Sequence, residues 1–204
     1  MMDREGRIAG IVCGVARAAL RGAGAETLLL IDDGSPEAEL CRRWLEPGLP
    51  PGAFRAIDAT DPAIVESALQ PVDAVEAARA VARSVAAAER GLVAGPANRT
   101  TLLLAPRSAP DDLLPLGDLW ASRVAALTGS WSGPATIAEL ARRFGGVEHL
   151  DAALEAWLHG RVIDADPGLL EALEAALARG RSGRRWPRIV PKLESRTAWI
   201  DLGR

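Results

Sequence analysis

Short apolar runs, each followed by a turn and then by helical periodicity, constrain this chain more than any other feature. Ile8–Cys13, Thr27–Ile31, Phe54–Ile57 and Leu92–Ala94 are too short for independent helices. They read as strands covered on both faces. Helical segments lie between them. Val15–Arg21 is expected to end at Gly22-Ala23-Gly24, and a helix opened by Ser35 or Pro36 runs through Leu45 to the Pro/Gly cluster at 47–52. Asp61 caps a short helix with Pro62 in its first turn, and Asp73–Arg90 is a long Ala-rich helix stopped by Gly91. Strand and helix alternating across short connections predict an α/β fold: a parallel sheet with helices on both faces.

The second half is helical. Leu113-Leu114-Pro115 leads into an expected helix over Gly117–Leu127, followed by Ala135–Arg143, Val147–Leu158 and Pro167–Ala178. The segment RGRSGRRWPR (179–188) and a short tail close the chain. A length of 204 residues fits one domain with a full core, the sheet in 1–130 and the helical region in 131–204.

The net charge of −3 argues against nucleic acid as a partner, because phosphate backbones are held by a positive surplus. No apolar stretch reaches the ~20 residues that span a bilayer, so no membrane partner is expected. The start of the chain lacks the apolar run of a signal peptide. Cys13 and Cys41 read as free thiols of a reducing, cytoplasmic compartment.

Ligands of parallel sheets bind outside the carboxyl ends of the strands, where strand order switches. The places to inspect are Cys13–Arg17, Asp32–Gly34, Asp58–Asp61 and Gly95–Thr101. A phosphate cradle needs glycines and a helix N-terminus, and after the first apolar run only Gly14 offers itself; the same turn also reads as an ordinary strand-to-helix connection. Asp32-Asp33 could hold a ribose or a cation, or simply bond their own backbone in a turn. Asp111-Asp112 could cap a helix or coordinate a metal. His149 and His159, the two histidines, are ten positions apart and support neither a zinc site nor a catalytic triad. The arginines of 179–188 form either a solvated loop or an anion clamp.

The segment LVAGPANRTTLLLAPRSAPDDLLPLGDLWASRV (92–124) resembles the signature stretch of ammonia-dependent NAD synthetases. That family has a strand, then Gly-Thr-x-Asn-Lys-Ser-Glu, then Asp-Leu-x-Pro-Ile-x-Asp-Leu. Gly95, Asn98, Arg99 and Thr100 match the first motif, and Asp112 through Leu119 the second. Arg79 falls on an arginine of the family's interface helix, and Val147–Asp151 with Leu158–Val162 resemble its closing helix. Gly10–Arg17 stands in the place expected for the pyrophosphatase loop. The resemblance implies a Rossmann-like fold of the N-type ATP pyrophosphatases, with ATP and Mg²⁺ as cofactors. It also implies adenylation of the carboxylate of nicotinic acid adenine dinucleotide, followed by attack of ammonia.

Departures from the pattern fall on the reactive positions. The Ser-Gly-Gly-x-Asp-Ser loop is replaced by Val12–Arg17, the metal-binding Glu by Thr101, and the motif Thr by Pro96. The Thr-Lys-x-Gly-Asp segment is missing around Pro106–Pro110. The helix lysine falls on Ala121. The later Asp-Glu motif appears as Glu139-Leu140, with Arg142 where another Glu belongs, and the His-Lys-Arg clamp lands on Ser182-Gly183-Arg184. Losing one charge-stabilising donor typically costs ~10²–10³ in rate, so joint loss implies a pseudoenzyme that retains nucleotide or protein binding. The alternative is an active ATP-dependent ligase with altered ligands, Arg17, Asp32, Asp112 and Arg181–Arg188 standing in.

No catalytic residue or metal ligand is assigned. Nucleotide-binding candidates are Gly14, Arg17, Asp32, Gly95, Asn98 and Arg184, with Arg79 and Asp112 on the substrate side. The resemblance and the small residues of 74–90 together suggest a homodimer, through that helix and the one from Gly117.

Overall fold

The structure is a computed structural model, and it describes residues 4–66, 74–105, 111–182 and 189–193. Its sheet is built from β1 (Thr27–Asp32), β2 (Phe54–Asp58) and β3 (Gly91–Ala94), all parallel, in the order β2-β1-β3. Leu30 of β1 stands beside Ala56 on one side and Ala94 on the other. Leu113 and Ile189 extend the β3 edge through isolated parallel bridges.

Leu28, Leu29, Leu30 and Ile31 of β1 are fully buried because both faces of the sheet are covered. Leu28 and Leu30 pack with α1 (Arg4–Ala23) and α2 (Pro36–Leu45). Leu29 and Ile31 pack on the other face against Ala78, Ala82 and Ala86 of α4 (Ala74–Glu89), beyond the short α3 (Pro62–Glu66). A separate apolar cluster joins α5 (Arg99–Leu104), α7 (Ala135–Arg143), α8 (Val147–Leu158) and α9 (Pro167–Ser182). A Cβ on Gly180 would overlap the Leu103 carbonyl, which is how closely α9 approaches α5. Among the described residues, no helix is long and apolar enough to cross a membrane.

The largest correction concerns the amino end. Ile8–Cys13 is not a strand but part of the 20-residue helix α1. Ile8, Val12, Ala16, Ala19 and Leu20 recur every three or four positions and form its buried face. Gly10 and Gly14 read as turn punctuation, yet a helix tolerates glycine at a cost of about 1 kcal/mol. α1 ends at Gly24, whose φ of +62° lets Ala25 N–H reach the Leu20 carbonyl.

A second correction concerns Gly117–Leu127. Residues Pro115–Asp118 form turns, and the helix, α6 (Ala121–Thr128), starts later. Its first amides are satisfied from a distance. Ala121 N–H donates to Thr100 Oγ1 (3.0 Å) and Ser122 N–H to Asp151 Oδ2 (2.7 Å). α2, α4, α7 and α8 match their expected cores, Val147–Leu158 at both ends, whereas α5 falls where no helix is expected and α9 runs on to Ser182, into the segment read as a loop or clamp.

Candidate functional site

The chain leaves β1 through α2 to reach β2 on one side, then crosses to β3 on the other side of β1. Strand order therefore switches between the carboxyl ends of β1 and β3. A cavity of about 460 Å³ opens there. Asp33, Ser35 and Glu37 line it from the β1 turn and α2, and Pro96, Ala97, Asn98 and Thr101 from the β3 turn and α5. Glu76 and Arg79 of α4 and Ser132 to Pro134 complete the walls with small apolar residues.

The turn after β1 is the first strand-to-helix turn of the sheet, the position where such folds expose backbone amides to phosphate. Here those amides are occupied by their own chain. Gly34 N–H donates to Asp32 Oδ1 (3.1 Å), Ser35 N–H to Asp33 Oδ1 (3.0 Å) and Ala38 N–H to Ser35 Oγ (3.1 Å). Gly34 takes a φ of +72°, which suits glycine in this turn. The first turn of α2 adds Glu37 and Glu39, so carboxylates stand where the helix dipole would otherwise favour an incoming anion.

Glu37 is 5% exposed. Its Oε2 accepts from Ser132 Oγ at 3.3 Å, while Oε1 is buried without a hydrogen-bond partner. Burial raises its pKa above the usual carboxylate range; the Glu37 and Ser132 hydrogen bonds oppose this, and the Asp33 charge adds to the rise. Arg79 is the cation among the described lining residues. It is 6% exposed and already committed: Nε donates to Asp111 Oδ1 at 2.8 Å, and a second nitrogen pairs with Glu76.

The sequence candidates separate clearly. Arg79 and Asn98 line the cavity. Asn98 also caps α5, accepting from Thr101 N–H at 3.0 Å. Gly14 lies within α1, where a Cβ would meet nothing within 4 Å, so no close backbone approach requires this glycine. Arg17, also in α1, donates to the Gly48 carbonyl at 2.6 Å, tying α1 to the 3-10 turn Glu46–Gly48. Thus Gly10–Arg17 forms no loop. Asp32 is not among the lining residues and serves the turn, accepting from Gly34 N–H. Gly95 does need to be glycine, because a Cβ would overlap the Asp111 carboxylate. Asp112 holds the sheet edge, its Oδ2 accepting from Val93 N–H at 3.0 Å. Arg184 lies outside the described residues, as does Gly183 of the supposed clamp.

Among the places marked for inspection, Asp58 and Asp61 serve their own turn. Asp58 accepts from Thr60 and has a lowered pKa, mainly through the Thr60 side-chain bond; Asp61 accepts from Ala63 N–H. His149 and His159 are exposed. Both cysteines are free and buried, with burial raising their pKa values, so neither is poised as a thiolate. The residues that sequence reasoning passed over are Glu37, Glu76 and Ser132. Only the position of Glu37 just inside a helix that follows a strand could have pointed to it.

Of the cofactors implied by the sequence resemblance, ATP is poorly matched by the described lining, where Asp33, Glu37 and Glu76 outnumber Arg79. Three carboxylates face one committed guanidinium, and the turn amides are spent. Among the described residues, no group of three His, Cys, Asp or Glu side chains could hold a metal ion.

No family model matches the chain, and no curated protein matches it. Among solved structures it is similar to the NH3-dependent NAD synthetase from Campylobacter jejuni in complex with the nitrate ion, at 18% identity and a TM-score of 0.53. The match covers 93% of this chain and 99% of the other. The chain therefore has the Rossmann-like α/β fold of an ammonia-dependent NAD synthetase, a three-stranded parallel sheet with helices on both faces.

Proposed function

We propose that this protein keeps an NAD synthetase-like scaffold and has lost ATP-dependent amidation of nicotinic acid adenine dinucleotide, retaining the cavity as a binding site. One observation carries this reading. The amides of Gly34, Ser35 and Ala38 are satisfied by Asp32, Asp33 and Ser35, so the turn offers a triphosphate carboxylates instead of donors. Electrostatics points the same way. A unit negative charge about 6 Å from one of these carboxylates is repelled by roughly 3 kcal/mol at an effective dielectric constant near 20. That corresponds to more than a hundredfold in affinity for each such pair.

The active-ligase alternative relies on Arg17, Asp32, Asp112 and the Arg181–Arg188 cluster, of which 183–188 lie outside the described residues. Arg17 ties α1 to Gly48, Asp32 closes the turn, and Asp112 holds the sheet edge. A mass-based assay with ATP, Mg²⁺, ammonia and the deamido precursor tests the proposal. No NAD above the enzyme-free blank is expected, and turnover would overturn it. We also propose that the protein forms a homodimer, with the outward residues Ala80, Ser84, Ala87 and Ala88 of α4 at the contact.

A further inference from the structure

We propose that Asp151 is an acid-sensitive latch at the junction of α5, α6 and α8, holding the start of α6 when ionised and releasing it when protonated. Trp120 stands at the cap position of α6 and gives that helix no side-chain bond. Asp151 of α8, 4% exposed, supplies the cap instead. Its Oδ2 accepts from Ser122 N–H at 2.7 Å and its Oδ1 from the Thr100 hydroxyl at 2.5 Å. Thr100 Oγ1 in turn accepts from Ala121 N–H at 3.0 Å, so one carboxylate serves both first amides of α6, directly and through Thr100. Both of its oxygens face donors. A proton added to either one competes with a buried hydrogen bond, and the negative charge that suits a helix amino end is lost with it.

The surroundings let this happen inside a folded chain. The ionisable groups on the helices around Asp151 are Glu148, His149 and Glu155 of α8, Arg99 of α5, Arg123 of α6, and Glu139, Arg142 and Arg143 of α7. Among the described residues no cation forms an ion pair with Asp151. Arg99 lies over the Trp120 ring, 4.6 Å from its centre, Arg142 pairs with Glu139, and Arg143 donates to the Gly168 carbonyl. Burial raises the Asp151 pKa, the Thr100 and Ser122 bonds oppose the rise, and the Glu148 charge adds to it. The folded chain therefore takes this proton more readily than the unfolded chain does. At this group acid favours the folded state, so protonation changes the junction without demanding global unfolding. The cavity feels the change from two sides, because α5 brings Asn98 and Thr101 to its wall and the chain leaving α6 brings Ser132 to Pro134.

The test is fluorine NMR of the full chain labelled with 5-fluorotryptophan, followed from about pH 7 to about pH 3.5, with the Trp120 resonance assigned through Trp120→Phe. That resonance is expected to titrate with a midpoint above the ordinary aspartate value of ~3.9 while the far-UV circular dichroism stays native. Asp151→Asn keeps an acceptor for Ser122 N–H but removes the proton site, and it should abolish the transition. Glu37→Gln, which removes a buried carboxylate elsewhere, should leave the transition in place. No titration of Trp120 before the dichroism is lost, a transition unchanged in Asp151→Asn, or one abolished by Glu37→Gln would each overturn the proposal. Where Asp151→Asn does not fold, Glu148→Gln decides: removal of the like charge should lower the midpoint, and an unchanged midpoint would overturn the proposal.

Discussion

Replacing Asp111 by Ala removes the buried partner of Arg79. The Arg79 Nε to Asp111 Oδ1 distance is 2.8 Å, and the side chains are 7% and 0% exposed. Breaking such a pair from one side typically costs 3–5 kcal/mol, because the remaining charge stays buried and uncompensated. Glu76 still contacts Arg79, and its side chain is 29% exposed, which allows solvent to share the charge. The expected loss is therefore at the lower end, about 3 kcal/mol. For a chain of this size that is a fall of roughly 6–12 °C in Tm. Urea titration at pH 7 and thermal melting followed by circular dichroism would measure it. The double variant Arg79→Met, Asp111→Leu removes both charges and should recover most of the loss, since apolar replacements of buried pairs are often neutral. A loss below about 1 kcal/mol in Asp111→Ala, or a double variant no better than the single one, would refute this account of how α4 is tied to the sheet edge.

Four further outcomes are expected. Gly14→Ala should stabilise the protein by about 0.5–1 kcal/mol, because the position is helical and a Cβ there meets nothing; a destabilised variant in urea would favour a turn at Gly14. Gly95→Ala should destabilise the fold by forcing the Asp111 carboxylate away, and Gly95→Ala combined with Asp111→Ala should show smaller than additive losses in the same titrations. Glu37 binds its proton more tightly in the folded chain than in the unfolded one. Its contribution is thus stabilising below the unfolded carboxylate pKa and is lost as pH rises through the raised folded value. Glu37→Gln should accordingly be more stable than the parent at pH 7, with the advantage shrinking toward pH 4, as paired urea titrations at the two values would show. Light scattering should give a dimer mass, and Ala87→Glu with Ala88→Glu should shift it toward the monomer; a concentration-independent monomer of the parent chain would contradict the proposed contact.

Much of the fold is written in local pattern. Ser35 before Pro36 gives α2 its start, and the side chain of Ser35 caps Ala38 as its residue type suggests. The rule that ligands gather where strand order switches led to Asp32–Gly34 and Gly95–Thr101, the segments that bracket the cavity. α1 reads as a strand over Ile8–Cys13 because five apolar residues interrupted by Gly10 fit two periods equally well over so short a window. Only the full face from Ile8 to Leu20 separates helix from strand. That reading puts the first strand-to-helix turn at Gly10–Arg17, whereas the first such turn of the sheet is Asp32–Ser35. The start of α6 was illegible because its cap, Asp151, comes from α8, 29 positions beyond Ser122. Glu37 was passed over for the same reason. A glutamate in the first turn of a helix is ordinary, and its burial depends on Ser132, 95 positions away.

The occupied turn amides after β1 are the centre of this account, and titration of Mg²⁺-ATP into the protein by calorimetry tests them most directly. No saturable heat is expected up to millimolar nucleotide, because Gly34, Ser35 and Ala38 have no amide to give and Asp33 and Glu37 repel the phosphates. Stoichiometric binding at micromolar concentration, abolished by a bulky substitution at Ala97 in the cavity wall, would contradict it.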